Sequence, residues 1–330
     1  MDAGVIPVKR PVSEGNKTMD QMPTIAVLMS TYNGEKYIRE QLDSIFDQEN
    51  VRVKLYVRDD GSKDGTVDIL KEYAQKFPIE IILDGENVRP GESFMRLVYK
   101  YTDEPGIDYY AFADQDDVWL QDKLSVAVEK IEKSGVGVPV LYGSNQFIYT
   151  DGENKGNRHK TPQRVDLISH MTRNTIAGCT FVFNKALAQL VSGVDRPDPR
   201  IIRYRLHDAW MMLVAIACGK AIYDEASHMF YRIHNENTVG VKEILLSERL
   251  DRLKRYFMNC DDANLRLITA KELLRLFPHM DEDEKMILRL YASYQENWKN
   301  KKALAFNKEI KANCAENPTV FTIKVLTNFV

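Results

Sequence analysis

Between residues 24 and 113 the chain alternates four apolar runs with three amphipathic ones, and this rhythm constrains its fold more than any other feature. Residues 24–30 form a continuous apolar run, the pattern of a central parallel strand covered on both faces. A helical stripe follows over 35–48, with Tyr37, Ile38, Leu42, Ile45 and Phe46 on one side. Residues 51–57, 79–83 and 109–113 read as further strands, and 66–77 and 91–101 as further helices. Repeated strand–helix units predict an open, mostly parallel α/β sheet flanked by helices, with right-handed crossovers. Such sheets bind ligands, most often nucleotides, at the edge where their strands end. The polar clusters of this chain all fall just after strand ends.

The sharpest of these is Asp114-Gln115-Asp116-Asp117, directly after Tyr109-Tyr110-Ala111-Phe112-Ala113. Three crowded carboxylates cannot all ionise without a cation or solvent to relieve their repulsion. If strand geometry continues, Asp114 and Asp116 face the same side. Hard oxygen ligands of this kind suit Mg²⁺ or Mn²⁺ combined with phosphate oxygens. The competing reading is an acidic strand-to-helix turn, with Asp116 or Asp117 capping a helix at Val118-Trp119-Leu120.

Composition excludes several classes. A net charge of −3 lacks the basic footprint of a general nucleic-acid binder. Cys179, Cys218, Cys260 and Cys314 lie far apart with no CxxC pair, which is neither a zinc site nor a disulfide framework and fits a reducing compartment. There is no apolar run of the ~18 to 20 residues a spanning helix needs. The first 23 residues carry no apolar core of a secretory signal and read as a mobile leader, so the expected location is cytoplasmic. Neither GxGxxG nor GxxxxGK[ST] appears, which removes the best support for a dinucleotide oxidoreductase or a P-loop kinase.

The second half is less regular. Residues 140–144 and 179–183 look like strands, 158–164 like an exposed polar loop, and 206–218 like a helix with His207 and Asp208 near its start. From about residue 241 the pattern is mostly helical, with Leu246, Leu250, Leu253 and Phe257 at core spacing. The expected division is a leader at 1–23, a catalytic domain at 24–240 and a helical C-terminal region at 241–330. That last region carries Lys301, Lys302, Lys308, Lys311 and Lys324, which read as a solvated face or, alternatively, as a peripheral contact with the inner membrane.

Six motifs in order resemble the glycosyltransferase family 2 enzymes and their GT-A fold. They are Ser30-Thr31-Tyr32-Asn33-Gly34, Arg58-Asp59-Asp60-Gly61-Ser62-Lys63-Asp64-Gly65-Thr66, Asp114-Gln115-Asp116-Asp117-Val118-Trp119, Gly178-Cys179-Thr180, His207-Asp208-Ala209-Trp210 and Tyr231-Arg232-Ile233-His234. The wording of several is most similar to bacterial rhamnosyltransferases of surface polysaccharide synthesis, which use dTDP-L-rhamnose. The resemblance implies that Thr31 and Tyr32 line a base pocket and that Asp60 accepts hydrogen bonds from the nucleobase. It implies Asp114 near the ribose, Asp116 on a Mn²⁺ or Mg²⁺ that bridges the diphosphate, and Asp208 as general base. Arg232 and His234 would contact diphosphate and metal. The family more often has Glu-Asp or Asp-Asp where this chain has His207-Asp208. By position alone, Arg89 after the third strand could meet phosphate or be a solvated loop charge.

The implied chemistry is sugar transfer from a nucleotide-sugar donor to a saccharide or lipid-linked saccharide acceptor. Charge building on the diphosphate calls for a metal, and a poor hydroxyl nucleophile calls for a base on the opposite face. One displacement inverts the anomeric centre, so dTDP-β-L-rhamnose would yield an α-linkage. A retaining route would ask for a second, nucleophilic group, and the sequence offers no clear candidate. A UDP-hexose or UDP-N-acetylhexosamine donor, or a non-catalytic nucleotide-binding homologue, are the alternatives.

Overall fold

The structure, a computed structural model, describes residues 22–135, 137–150, 152–233 and 264–330. The alternation read from the sequence is there. β1 (Thr24–Thr31), α1 (Ile38–Phe46), β2 (Arg52–Asp59), α2 (Thr66–Ala74), β3 (Ile79–Ile82), α3 (Arg89–Tyr101) and β4 (Tyr109–Ala113) follow in order. β1 lies between β2 and β4, parallel to both, and β3 extends the parallel block beyond β2. The registers pair Thr31 with Asp59 and Met29 with Ala113, so these three strands end at one level. That shared edge gathers the polar clusters.

β4 stops at Ala113, and Asp114 to Asp117 form a turn rather than a strand extension. The helix considered at Val118-Trp119-Leu120 does not form. Val118–Trp119 is instead β5, a short strand pairing antiparallel with β9 (Lys220–Arg232), and α4 (Lys123–Glu132) starts only afterwards. Tertiary pairing with a strand about 110 residues away overrides the local capping signal.

β6 (Val140–Thr150) runs well past the predicted 140–144 and turns into β7 (Glu153–Asn157). After α5 (Leu167–Thr172), the predicted strand at 179–183 begins instead as a 3-10 turn at Gly178–Thr180 and becomes β8 at Val182–Asn184. α6 (Lys185–Ser192) and α7 (Pro199–Cys218) follow. Among the described residues the sheet has nine strands in the order β3-β2-β1-β4-β8-β6-β9-β5, with β7 beside β6. β8 joins the parallel block to the parallel β6–β9 pair by running antiparallel to both.

Side chains alternate across this sheet as pleating requires. Ile25, Val27, Met29, Leu55, Val57, Ala111 and Ala113 pack under α1, α2 and α4. Ala26, Leu28, Tyr56, Tyr110 and Phe112 pack under α3, α6 and α7. The second layer continues into α8 (Leu265–Leu276), α9 (Glu282–Ser293), α10 (Trp298–Ala305), α11 (Lys308–Asn313) and α12 (Pro318–Leu326). Trp210 of α7 and Phe277 after α8 lie 6.1 Å apart in this shared core. Trp119 and Trp210 are both core residues. No helix among the described residues is long and apolar enough to cross a membrane. Leu246, Leu250, Leu253, Phe257 and Cys260 lie outside the described residues, as do residues 1–21.

Candidate active site

The edge where β1, β2 and β4 end is built by loops that hold one another. Asp59, not Asp60, makes the turn after β2: its carboxylate accepts from Gly61 N at 3.0 Å, Ser62 N at 2.7 Å and Thr31 Oγ1 at 2.7 Å. Asn33 N donates to Ser62 Oγ at 2.9 Å, and Lys63 N donates back to Asn33 Oδ1 at 2.9 Å. The Gln115 amide docks on the Tyr32 backbone in both directions, at 2.9 and 3.0 Å. A Cβ at position 34 would lie 2.4 Å from Gln115 Oε1, so a larger residue there would push the Gln115 amide off its dock. Thr31 is thereby buried, while the Tyr32 ring stays exposed above the edge.

Asp60 faces inward. Fully buried Arg58 donates to Asp60 Oδ1, to both oxygens of Asp84 at 2.7 and 3.0 Å, to Glu86 O at 3.0 Å and to Ser93 Oγ at 3.2 Å. Burial still pushes the Asp60 carboxyl above the usual range, against the pull of Arg58. The backbone N–H of Arg89 also reaches Asp60. Arg89 itself opens α3, with a φ of 69° and an exposed side chain, rather than preceding the helix.

Beyond β4, Asp114 and Asp116 are half-buried and Asp117 is fully buried. Ligand atoms of Asp114, Asp117 and buried Cys179 lie within 4.8 Å of one another. Because the chain turns here, the strand periodicity expected to align Asp114 with Asp116 does not hold, and Asp117 is the carboxylate that turns inward. Burial, then Asp116 and Asp208, raise the Asp114 carboxyl to about 7. Burial also raises the Cys179 thiol far above its ordinary range, so it stays protonated. Lys123 is buried behind this group, its Nζ 3.6 Å from the Trp119 ring centroid, and burial lowers it to about 7. The charge crowding and hard oxygen donors fit a divalent cation at the Asp114–Asp116 turn.

Arg232 at the end of β9 closes over this turn. Its backbone N–H donates to Asp117 Oδ1 at 3.2 Å, its Nε to Asp116 O at 3.0 Å and its Nη2 to Glu40. The guanidinium stacks 4.9 Å from the centroids of both Tyr37 and Tyr149. His234 lies outside the described residues.

Asp208 enters from the other side. α7 breaks at Leu206, whose φ of 67° and ψ of 171° are a conformation non-glycine residues rarely adopt. The break starts a fresh helical segment with Asp208 in its first turn. Its carboxylate accepts from Asn174 Nδ2 at 2.9 Å, from Ala209 N at 2.7 Å and from Gly178 N. A Cβ on Gly178 would lie 2.8 Å from Asp208 Cβ, so that close approach requires glycine. Burial raises Asp208 to about 6. His207 is packed instead: its ring stacks on Phe94 at 4.1 Å and meets Phe112 edge-on at 4.8 Å. Burial drops His207 to about 3, so it is neutral.

The segment 158–164 is a mostly exposed loop as expected, with Arg158 an exception that matters. Arg158 is half-buried, its guanidinium 5.3 Å from the Tyr231 ring centroid, and its charge pulls down both Asp208 and Cys179. Among the described residues no carboxylate pairs with it. Its local sequence, Asn157-Arg158-His159-Lys160, reads as surface, and only the β6–β7 hairpin carries it inward. Asn174 is likewise invisible in sequence, since no periodicity or motif marks it.

The edge therefore holds a buried, Arg-bound carboxylate, a carboxylate turn suited to a cation, and a desolvated carboxylate near enough to raise Asp114, with Arg158, which pairs with no carboxylate among the described residues, in its field. Residues 26–191 match the Glycosyl transferase family 2 profile. The dTDP-rhamnosyl transferase RfbG of Shigella flexneri is 31% identical over 217 residues, 64% of this chain and 73% of that protein. The putative teichuronic acid biosynthesis glycosyltransferase TuaG of Bacillus subtilis is 33% identical over 48% of this chain and 61% of its own length. Among solved structures, S. aureus TarS 1-349 superimposes with a TM-score of 0.54 at 16% identity, covering 92% of this chain and 80% of that one. This is a likeness of fold.

Proposed function

This chain belongs to glycosyltransferase family 2, and on that footing we propose that it is an inverting, metal-dependent transferase of surface polysaccharide synthesis. It moves L-rhamnose from dTDP-β-L-rhamnose onto a saccharide or lipid-linked saccharide acceptor, forming an α-linkage at the cytoplasmic face of the membrane. The observation that carries the reading is Asp208, a desolvated carboxyl raised to about 6, held by three N–H donors and near enough to the acidic turn to raise Asp114. A base with that affinity is ionised at neutral pH yet still accepts a proton readily.

Each residue then has a part. Asp208 takes the proton of the acceptor hydroxyl at its carboxylate oxygen as that hydroxyl attacks. Tyr32, exposed at the edge, borders the nucleobase with buried Thr31 and Asp60 behind it, and Asp114 meets the ribose. Arg89, at the start of α3, and Arg232 face the diphosphate, and Arg158 adds a cation between that group and the base. Asp116, with His234, would hold Mn²⁺ or Mg²⁺, which when bound supplies Lewis-acid neutralisation of the diphosphate. General-base help of this kind is worth about 10²–10⁴ in rate.

The rhamnose donor is supported by similarity to the Shigella protein. Thermal shift with Mn²⁺ and single nucleotides tests it, because a ligand that binds only the folded state raises Tm with its affinity. The expected order is dTDP above UDP, with the shift lost in EDTA. A larger shift from UDP would move the donor to a UDP-sugar, and no shift with any nucleotide would defeat the transferase reading.

A further inference from the structure

Large apolar side chains left exposed are concentrated at one end of the molecule. Five of the seven among the described residues, Met286, Trp298, Phe306, Val320 and Ile323, fall in the C-terminal helices. In α10 and its cap, Trp298, Lys302 and Phe306 recur four apart and form one outward stripe, while Leu304 and Ala305 are buried in the core. In α12, Val320 and Ile323 point out while Phe321 and Val325 point in. The two helices are joined where Thr322 Oγ1 donates to Ala305 O at 3.2 Å.

The charge around this stripe is mainly positive. Residues 298–330 contain six lysines against two glutamates, in a chain whose net charge is −3. Lys324 is buried against Glu316; of the other five lysines, Lys299, Lys302 and Lys308 are exposed and Lys301 and Lys311 half-exposed. Lys301 and Lys302 lie 5.8 and 5.5 Å from the Trp298 ring centroid, and Lys311 lies 5.8 Å from that of Phe306.

We propose that the α10–α12 face docks on an anionic lipid surface, with Trp298, Phe306, Val320 and Ile323 entering the headgroup boundary and the lysines meeting lipid phosphates. An amphipathic surface with Trp and Lys together fits that boundary, where an aromatic ring is half-buried and ammonium groups reach anionic heads. A second copy of the chain is disfavoured by the same charges, because a two-fold contact would set lysines against lysines. Docking would also orient the cleft. Ala315 N donates to Thr172 Oγ1 at 2.8 Å, Arg266 Nη2 donates to Thr172 O at 3.0 Å, and Asn174, two residues on, holds Asp208. The membrane face is thus tied to the base side of the site, where a lipid-linked acceptor would arrive.

Tryptophan fluorescence reads this directly. Trp119 and Trp210 are 3% and 1% exposed, whereas Trp298 is 58% exposed, so a change on docking reports Trp298. With the full chain, phosphatidylcholine vesicles containing a third of phosphatidylglycerol are expected to shift its emission to shorter wavelength and to co-sediment the protein. Pure phosphatidylcholine should do neither, and high salt should reverse both. Lys302→Ala and Lys308→Ala should each weaken vesicle binding about fivefold, with Tm unchanged. No spectral shift and no co-sedimentation with anionic vesicles would overturn the proposal. So would a shift that grows with protein concentration in the absence of lipid, which would make the face a contact between copies. Neither readout involves turnover, so the outcome is independent of donor and acceptor identity.

Discussion

Replacing Asp208 with Asn should cut transfer sharply while making the protein more stable. The carboxyl rises from an ordinary 3.8 to about 6 in the folded state. A shift of ~2 units corresponds to about 2–3 kcal/mol charged against folding when the group is ionised. The sign follows from linkage: a group whose folded pKa is raised stabilises the fold below its unfolded pKa and loses that contribution as pH climbs through the folded value. The full penalty therefore stands at pH values above about 6 and vanishes below 3.8. Asn at this position is neutral throughout. It can still accept from Ala209 N, and a flip of Asn174, whose Oδ1 is buried without a partner, supplies an acceptor for the new amide. Melting in metal-free buffer should place Asp208→Asn about 3–4 °C above the parent at pH 7.5, given the unfolding entropy of a 330-residue chain, with the gap closing near pH 4. Turnover should fall by about 10²–10⁴ while the nucleotide-induced Tm shift persists. Unchanged turnover would refute the base, and a lower Tm at pH 7.5 would refute the account of a desolvated charge.

Arg158→Gln removes a charge that holds Asp208 down, so the acidic limb of the kcat/KM profile should move to higher pH, and Arg158→Lys should restore it; an unmoved limb would place Arg158 outside the field of the base. His207→Phe keeps an aromatic ring between Phe94 and Phe112, and turnover should change only severalfold; a loss of roughly 100-fold with Tm intact would give the imidazole a role in proton transfer. Leu206→Gly relieves a backbone conformation that costs about 1–3 kcal/mol, and net stability in urea should rise by about 1 kcal/mol once the entropy of glycine is subtracted. A clear loss would mean that the Leu206 side chain outweighs the strain.

The parallel block was legible because each of its elements is decided locally. β1 is apolar on both faces, α1 carries a clean stripe, and β4 ends in carboxylates, so periodicity alone delivers strands, helices and the edge between them. The rest depends on distant partners. β5 exists only because β9 pairs with it, and β6 runs past Ser144 because β7 and β9 hold its outer half. Within the site, Asp114 and Asp208 were marked by position after a strand and at a helix start. Arg158 and Asn174 were not, since one is delivered by a hairpin and the other by a loop with no pattern of its own. Strand periodicity also misled at the acidic turn, where it cannot follow a chain that has left the sheet, so Asp117 and Cys179 went unpaired until the fold brought them together.

The C-terminal helices bear on how this molecule can be cut. Trp210, Met211 and Leu213 on the helix that carries Asp208 are fully covered, and the same core runs through Leu273, Tyr291 and Phe321. A fragment ending after β9 would strip that helix of a wall and leave large side chains in water, so trimming to a minimal catalytic piece should yield aggregates rather than a smaller enzyme. Grafting a foreign tail faces the same obstacle, because the replacement would have to reproduce the inner surface of the one it displaces.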